Sequence, residues 1–288
     1  TPEKKYERPL FKVLEDNNAL VGRLKKYNLA KKEFFKFKNE GGTELNAWMI
    51  KPSNFDPNKK YPVFMTGYNG PGHNTVVDSW AGNTMIWHHL LAQNGFLVVS
   101  VDTRGNMYRG RNFKHSTYLQ LGKYETEDMI SAAKYIGSLP YTDGDNIGIQ
   151  GWSYGGYMAA LCMTKGADYF KAGIAVAPVT NWRYYDNIYT ERFMRTPQEN
   201  GDGYDDNSPI NHVEKLKGAF LLVHGGGDDN VHPQNSYEMV TALVRENKEF
   251  DMFIYPNRNH GIYGGAKNTT RLHLFNKMTN FLIDNLKD

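Results

Sequence analysis

Several things are scarce in this sequence, and each scarcity excludes a class. Cys162 is the single cysteine in 288 residues, so no internal disulfide closes and a disulfide-stapled scaffold is ruled out. It lies in the apolar stretch YMAALCM, which reads as a buried structural thiol rather than a reactive one. No run of about 18 apolar residues is present, which excludes a spanning helix within the sequence. Net charge is also small: 34 Lys and Arg against 31 Asp and Glu leave +3. Residues 1–40 carry eleven Lys and Arg against six Asp and Glu, a basic stretch that reads as the solvated face of a connecting segment. The remainder is near neutral, so no nucleic-acid partner is expected. Internal repeats and low-complexity tracts are lacking. The chain opens on Thr1 without a leader peptide, which reads as a fragment or a processed form.

What is there is apolar and rhythmic. The composition is 40% hydrophobic and 14% aromatic, enough for one large core or two small ones. Residues 1–30 mix charge with scattered apolar positions such as Leu10, Val13 and Leu14 and read as an arm. EFFKFK and LNAWMIK, separated by NEGGTE, read as a β-hairpin. From Tyr61 short apolar runs follow: YPVFMTG, FLVVSVD, NIGIQG, AGIAVA, AFLLVHG and FDMFIYP. Helical spacing fills 78–93, 124–138, 154–165, 234–246 and 269–286. Strands alternating with helices predict a mostly parallel sheet of about eight strands, covered by helices on both faces. Residues 103–122 and 190–216 break the rhythm as long loops.

GWSYGG, at Gly151–Gly156, follows one of these strands and opens a helix. That is the context of a nucleophile elbow, in which Gly151 and Gly155 let the backbone turn sharply and Ser153 projects at the strand's end. A serine nucleophile needs a base, and the base an orienting acid. In this architecture both follow in the order acid, then histidine. GGDDN after AFLLVHG offers Asp228 or Asp229, and NRNHG after FDMFIYP offers His260. Among the other histidines, His224 reads as structural. His88 and His89 are adjacent and diverge on a helix, a poor metal pair. His73, His115, His212, His232 and His273 lack the strand-end placement of His260. GYNGPG and HGGGDDN lack the spacing of phosphate loops and read as turns, so neither a metal nor another cofactor is expected. The first of these turns is where the second oxyanion donor of such a hydrolase belongs, and Tyr68 there offers a hydroxyl and an amide. Trp182, Tyr185 and Tyr189 recur at the spacing of one helix face, beside the sheet edge that carries the serine, and read as core or pocket.

GWSYGGYM, GIAVAPVTNWRYYDNIYTERFM, HGGGDDNVHPQNS and NHG, in that order, resemble the catalytic domain of the prolyl oligopeptidase family, in its dipeptidyl peptidase IV branch. The likeness extends from VLEDNNAL to the last helix. It implies an α/β-hydrolase fold with Ser153 as nucleophile, Asp228 rather than Asp229 as acid, and His260 as base. It further implies an oxyanion hole from the Tyr154 amide and the Tyr68 hydroxyl. Tyr154, Val179, Trp182, Tyr185, Tyr189 and Val231 match the lining of a small apolar box for proline or alanine, and Asn230 matches a residue that holds the substrate carbonyl. The implied activity is a serine peptidase cutting after proline or alanine, releasing amino-terminal dipeptides in full-length form.

The family's β-propeller finds no room here: residues 1–30 read as an arm and 31–288 as the hydrolase domain. Two further readings stand beside the peptidase. One is an esterase or acylaminoacyl-peptidase sharing the triad; the other is a catalytically idle fragment that binds or dimerises. Leu274, Phe275, Met278 and Leu282 on the last helix suit either a homodimer face or packing on the sheet. The resemblance favours a bacterial periplasm or cell envelope over a cytoplasm.

Overall fold

The computed structural model describes residues 12–80 and 82–287; residues 1–11 of the arm, Leu10 among them, lie outside that range. Strands β1 (Glu33–Lys38) and β2 (Glu44–Ile50) form the expected hairpin, with Phe37 opposite Leu45. Then come β3 (Tyr61–Thr66), β4 (Leu97–Asp102), β5 (Thr142–Trp152), β6 (Ala172–Val176), β7 (Ala219–Gly225) and β8 (Asp251–Tyr255). Among the described residues they form one eight-stranded sheet in the order β1-β2-β4-β3-β5-β6-β7-β8. β2 pairs antiparallel with β4, and every pairing from β4 through β8 is parallel. All six residues of β4 are buried, as a strand covered on both faces requires. This is the α/β-hydrolase fold.

Two apolar layers hold the sheet. On one face pack α4 (Lys123–Gly137), α5 (Tyr154–Lys165) and α8 (Gln234–Arg245), through residues such as Met129, Leu161 and Leu243. On the other lie α2 (Gly82–Gln93) and α9 (Thr269–Leu286). Leu274, Met278 and Leu282 of α9 are fully buried there, with Trp87 and Leu91 of α2. Those three α9 residues are therefore sheet core, which settles the choice between packing and a dimer face at their positions. No described helix is long and apolar enough to cross a membrane.

The two long loops are more ordered than expected. Residues 103–122 contain α3 (Arg111–His115). The second segment holds most of α6 (Asn187–Met194), α7 (Gly201–Asp205) and a 3-10 stretch at Pro209–Lys215. Short helices with few apolar positions leave little periodic signal, which is why the sequence reads there as loop. In its described residues the arm carries the short helix α1 (Asn18–Leu24) and a 3-10 turn at Lys25–Tyr27, with no buried residue in either.

Candidate active site

The parallel strands deliver their carboxyl ends to one edge of the sheet, and the segments that follow β3, β5, β6, β7 and β8 converge there. The turn from β5 into α5 holds Ser153 at φ 59°, ψ −119°, a backbone state that costs a non-glycine residue on the order of 1–3 kcal/mol. Neighbours enforce it. The Ser153 amide donates to the Val176 carbonyl at 2.8 Å, and the Ser153 carbonyl accepts from the Tyr157 amide at 2.9 Å. A side chain on Gly151 would run into the Gly155 carbonyl, and one on Gly155 into that of Gly67. The serine thus stands at the start of α5, whose first amides have no partner within the helix and favour negative charge.

The turn after β7 supplies Asp228, which is buried. Its Oδ1 accepts from the amides of Asn230 and Val231, both at 3.0 Å. Its Oδ2 faces two imidazoles: His260 Nδ1 at 2.7 Å and His224 Nε2 at 3.2 Å. Burial by itself would raise the carboxyl, but the hydrogen bonds from His224 and His260 outweigh it and hold Asp228 well below the usual carboxylate range. Asp229 is exposed, so the geometry joins Asp228 to the histidine. His260 is anchored from the serine side too, because the Trp152 indole N–H donates to its carbonyl at 2.9 Å. Among the described residues no side-chain hydrogen bond joins the Ser153 hydroxyl to His260; the serine is near enough to Tyr68 to oppose the rise that burial imposes on that phenol.

Tyr68 follows β3 and lies against Tyr154, ring centres 5.9 Å apart. Burial raises its hydroxyl and the bond with Ser153 pulls it partly back, so it stays a protonated donor at neutral pH. The aromatic residues also meet, though not on one helix as their spacing predicts. Trp182 sits in a 3-10 turn, Tyr185 is extended, and α6 starts afresh behind Asp186, whose side chain caps it by accepting from the Tyr189 amide at 2.8 Å. A cap at that point breaks the helical path, yet the rings still cluster. Trp182 stacks on Tyr189 at 5.7 Å and contacts Tyr154 at 5.5 Å, and Tyr185 meets Tyr189 edge-on at 5.4 Å. Tyr154, Val179, Trp182 and Val231 are buried, with Tyr185 and Tyr189 half-buried. The Tyr185 hydroxyl donates to Asn230 Oδ1 at 2.8 Å, which ties the cluster to the Asp228 turn.

Sequence reasoning missed three supports of this arrangement. Glu125 of α4 is fully buried, and its Oε1 accepts from the Tyr154 hydroxyl at 2.7 Å. Burial, resisted by that bond, pushes its carboxyl up to about 8, so it is neutral near pH 7. His224 Nε2 donates to the Val231 carbonyl at 2.8 Å and Nδ1 pairs with Ser236 Oγ at 2.7 Å, besides the ring facing Asp228. Trp152 was legible only as a residue of the elbow. A buried glutamate in an otherwise ordinary helix and a histidine inside a strand gave no local signal of their own.

A sequence model of the prolyl oligopeptidase family matches residues 84–288. The mouse prolyl endopeptidase FAP is 39% identical over 277 residues, covering 94% of this chain and 35% of that protein. The "Probable dipeptidyl-aminopeptidase B" of Neurospora crassa is 41% identical over 284 residues, covering 97% of this chain and 30% of that protein. Among solved structures, Porphyromonas gingivalis dipeptidyl peptidase 4 superposes with a TM-score of 0.90 at 50% identity, covering 95% of this chain and 38% of that one. The chain spans about a third of the length of the curated relatives it matches.

Proposed function

Because the chain belongs to the prolyl oligopeptidase family, we propose that it forms the catalytic domain of a serine peptidase that cuts after proline or alanine. The observation that carries this reading is the 2.7 Å bond between Asp228 and His260, set beside a serine held at a strained elbow. In the reaction, Ser153 attacks the scissile carbonyl while its proton passes to His260. Asp228 keeps the imidazole in the tautomer with Nδ1–H directed at the carboxylate, leaving Nε2 to accept, and it stabilises the imidazolium that forms. Tyr68 donates to the developing oxyanion together with the Tyr154 amide. His260 then gives the serine proton to the leaving amine as the peptide bond breaks. The acyl-enzyme left on Ser153 is hydrolysed by water activated in the same way.

Substrate choice follows from the aromatic cluster. Tyr154, Val179, Trp182, Tyr185, Tyr189 and Val231 form an apolar box for the residue before the cut, of a size for proline or alanine, and Asn230 holds the substrate carbonyl. Relatives named as a prolyl endopeptidase and a dipeptidyl-aminopeptidase support both the proline preference and, for the longer protein, release of amino-terminal dipeptides. Residues 1–30 serve as the arm and 31–288 as the hydrolase domain. A homodimer belongs to the same proposal, with apolar contacts other than Leu274, Met278 and Leu282. The test is turnover of a dipeptidyl proline arylamide. The chain should cleave it, and Ser153→Ala should abolish cleavage; equal rates for the two proteins would reject the reading.

A further inference from the structure

A cavity of about 410 Å³ opens beside the serine on the other face of the sheet from the aromatic box. Its wall includes Gly67, Tyr68, Gly151 and Trp152, which flank Ser153, and none of the box residues. It reaches inward to α2 and α9. Lys32 and Arg271 line it, and among the described residues no aspartate or glutamate does. The Lys32 ammonium is engaged by the carbonyls of Val77 and Ser79, at 3.4 and 3.2 Å. Arg271 is different. Its guanidinium lies 4.5 Å from the ring centre of Trp152 and 4.3 Å from that of Tyr263. Its Nε is buried without a hydrogen-bond partner among the described residues. Burial draws the group down from its ordinary value, and among the described residues Tyr263 alone works against that. Deeper in, the buried imidazole of His88 is neutral, pushed down to about 3 by burial, and its Nε2 is likewise without a partner.

A partly desolvated cation without a counter-ion is unfavourable, and an anion that enters relieves the cost. Guanidinium, stacked and fork-shaped, suits a carboxylate in particular. The aromatic box takes the acyl side of the substrate, so a segment leaving past Trp152 runs into this cavity. We propose that Arg271, stacked on Trp152, receives the carboxy-terminal carboxylate of the leaving segment of short peptides. At roughly 3.5 Å per residue, a leaving segment of one to three residues matches a receptor on the side chain next to the serine. The preferred substrates are then peptides of three to five residues with a free carboxylate. This inference rests on the peptidase reading above.

The experiment compares Gly-Pro-Ala with a free carboxylate, its carboxy-terminal amide, and Gly-Pro arylamide. The chain should favour the acid over the amide by roughly tenfold in kcat/KM. Arg271→Leu should remove that ratio by slowing the acid about tenfold more than the arylamide, and Arg271→Lys should restore part of it. Equal kcat/KM for acid and amide in the unaltered chain overturns the inference, as does an equal loss on all three substrates in Arg271→Leu. Equilibrium binding of the acid and the amide to Ser153→Ala gives the same comparison without turnover, and equal affinities there overturn it too. A failure to cut the arylamide, by contrast, rejects the peptidase reading, while the acid-to-amide binding ratio still decides on the receptor.

Discussion

Tyr68 shows how much of the proposed chemistry rests on single side chains held by burial. Its hydroxyl is kept protonated by burial, so in the proposed mechanism it meets the oxyanion as a ready donor. A preorganised donor of this kind contributes about 3 kcal/mol to transition-state stabilisation and little to ground-state binding. Tyr68→Phe keeps the ring contacts with Tyr154 and His73 and removes only the donor. Steady-state kinetics with a prolyl arylamide should show kcat lowered by roughly 10²-fold with KM nearly unchanged. Retained kcat would leave the Tyr154 amide as the only donor among those proposed. At this scale the sequence was informative where a residue's position follows from strand ends. Tyr68, Asp228 and His260 each come directly after a strand, so their meeting at one edge follows from the topology. Glu125, His224 and Arg271 sit within helices or a strand, and their roles depend on contacts across 29, 4 and well over a hundred residues of chain with no pattern to announce them.

Elements decide how those residues are aimed, and the break between Trp182 and Tyr189 is the clearest case. Asp186 lies between a 3-10 turn and α6, and its carboxylate caps α6 through the Tyr189 amide. Loss of such a cap costs about 1 kcal/mol, and here it also loosens the first turn, which carries Tyr189 against Trp182. Asp186→Ala should therefore lower stability by about 1 kcal/mol in chemical denaturation and raise KM for proline substrates more than it lowers kcat. Loss of stability without a change in KM would separate α6 from the substrate pocket. The strands and long helices were readable because continuous buried runs and long apolar stripes leave an unmistakable period. The helix break was not, because Trp182, Tyr185 and Tyr189 keep the spacing of one helix while a single capping side chain divides it. The cluster survives the wrong intermediate structure, since its rings converge through tertiary packing rather than through one helical face.

For the whole molecule, the buried carboxyls tie stability to pH in opposite directions. Glu125 has its folded value raised to about 8 from an ordinary 4.5, so the native state holds a proton that the unfolded chain releases above about pH 4.5. Its contribution is complete below that value and declines as pH rises towards 8, by up to roughly 1.4 kcal/mol per pH unit. Asp228 acts the other way: its folded value is depressed, so its contribution is present above the ordinary aspartate range and is lost as pH falls through and below it. The two together are greatest at about pH 4 to 4.5, where the unfolded chain has not yet released the Glu125 proton and Asp228 is ionised. Glu125→Gln keeps a polar group facing the Tyr154 hydroxyl and removes the titration. Denaturation midpoints at pH 5, 6.5 and 8 should fall with rising pH more steeply for the unaltered chain than for the variant. Parallel curves would mean that Glu125 ionises as freely in the folded protein as in the unfolded one. A steeper fall would instead connect the acid beneath the aromatic cluster to the stability of the entire fold, because the same bond that holds Tyr154 also joins α4 to the elbow that carries Ser153.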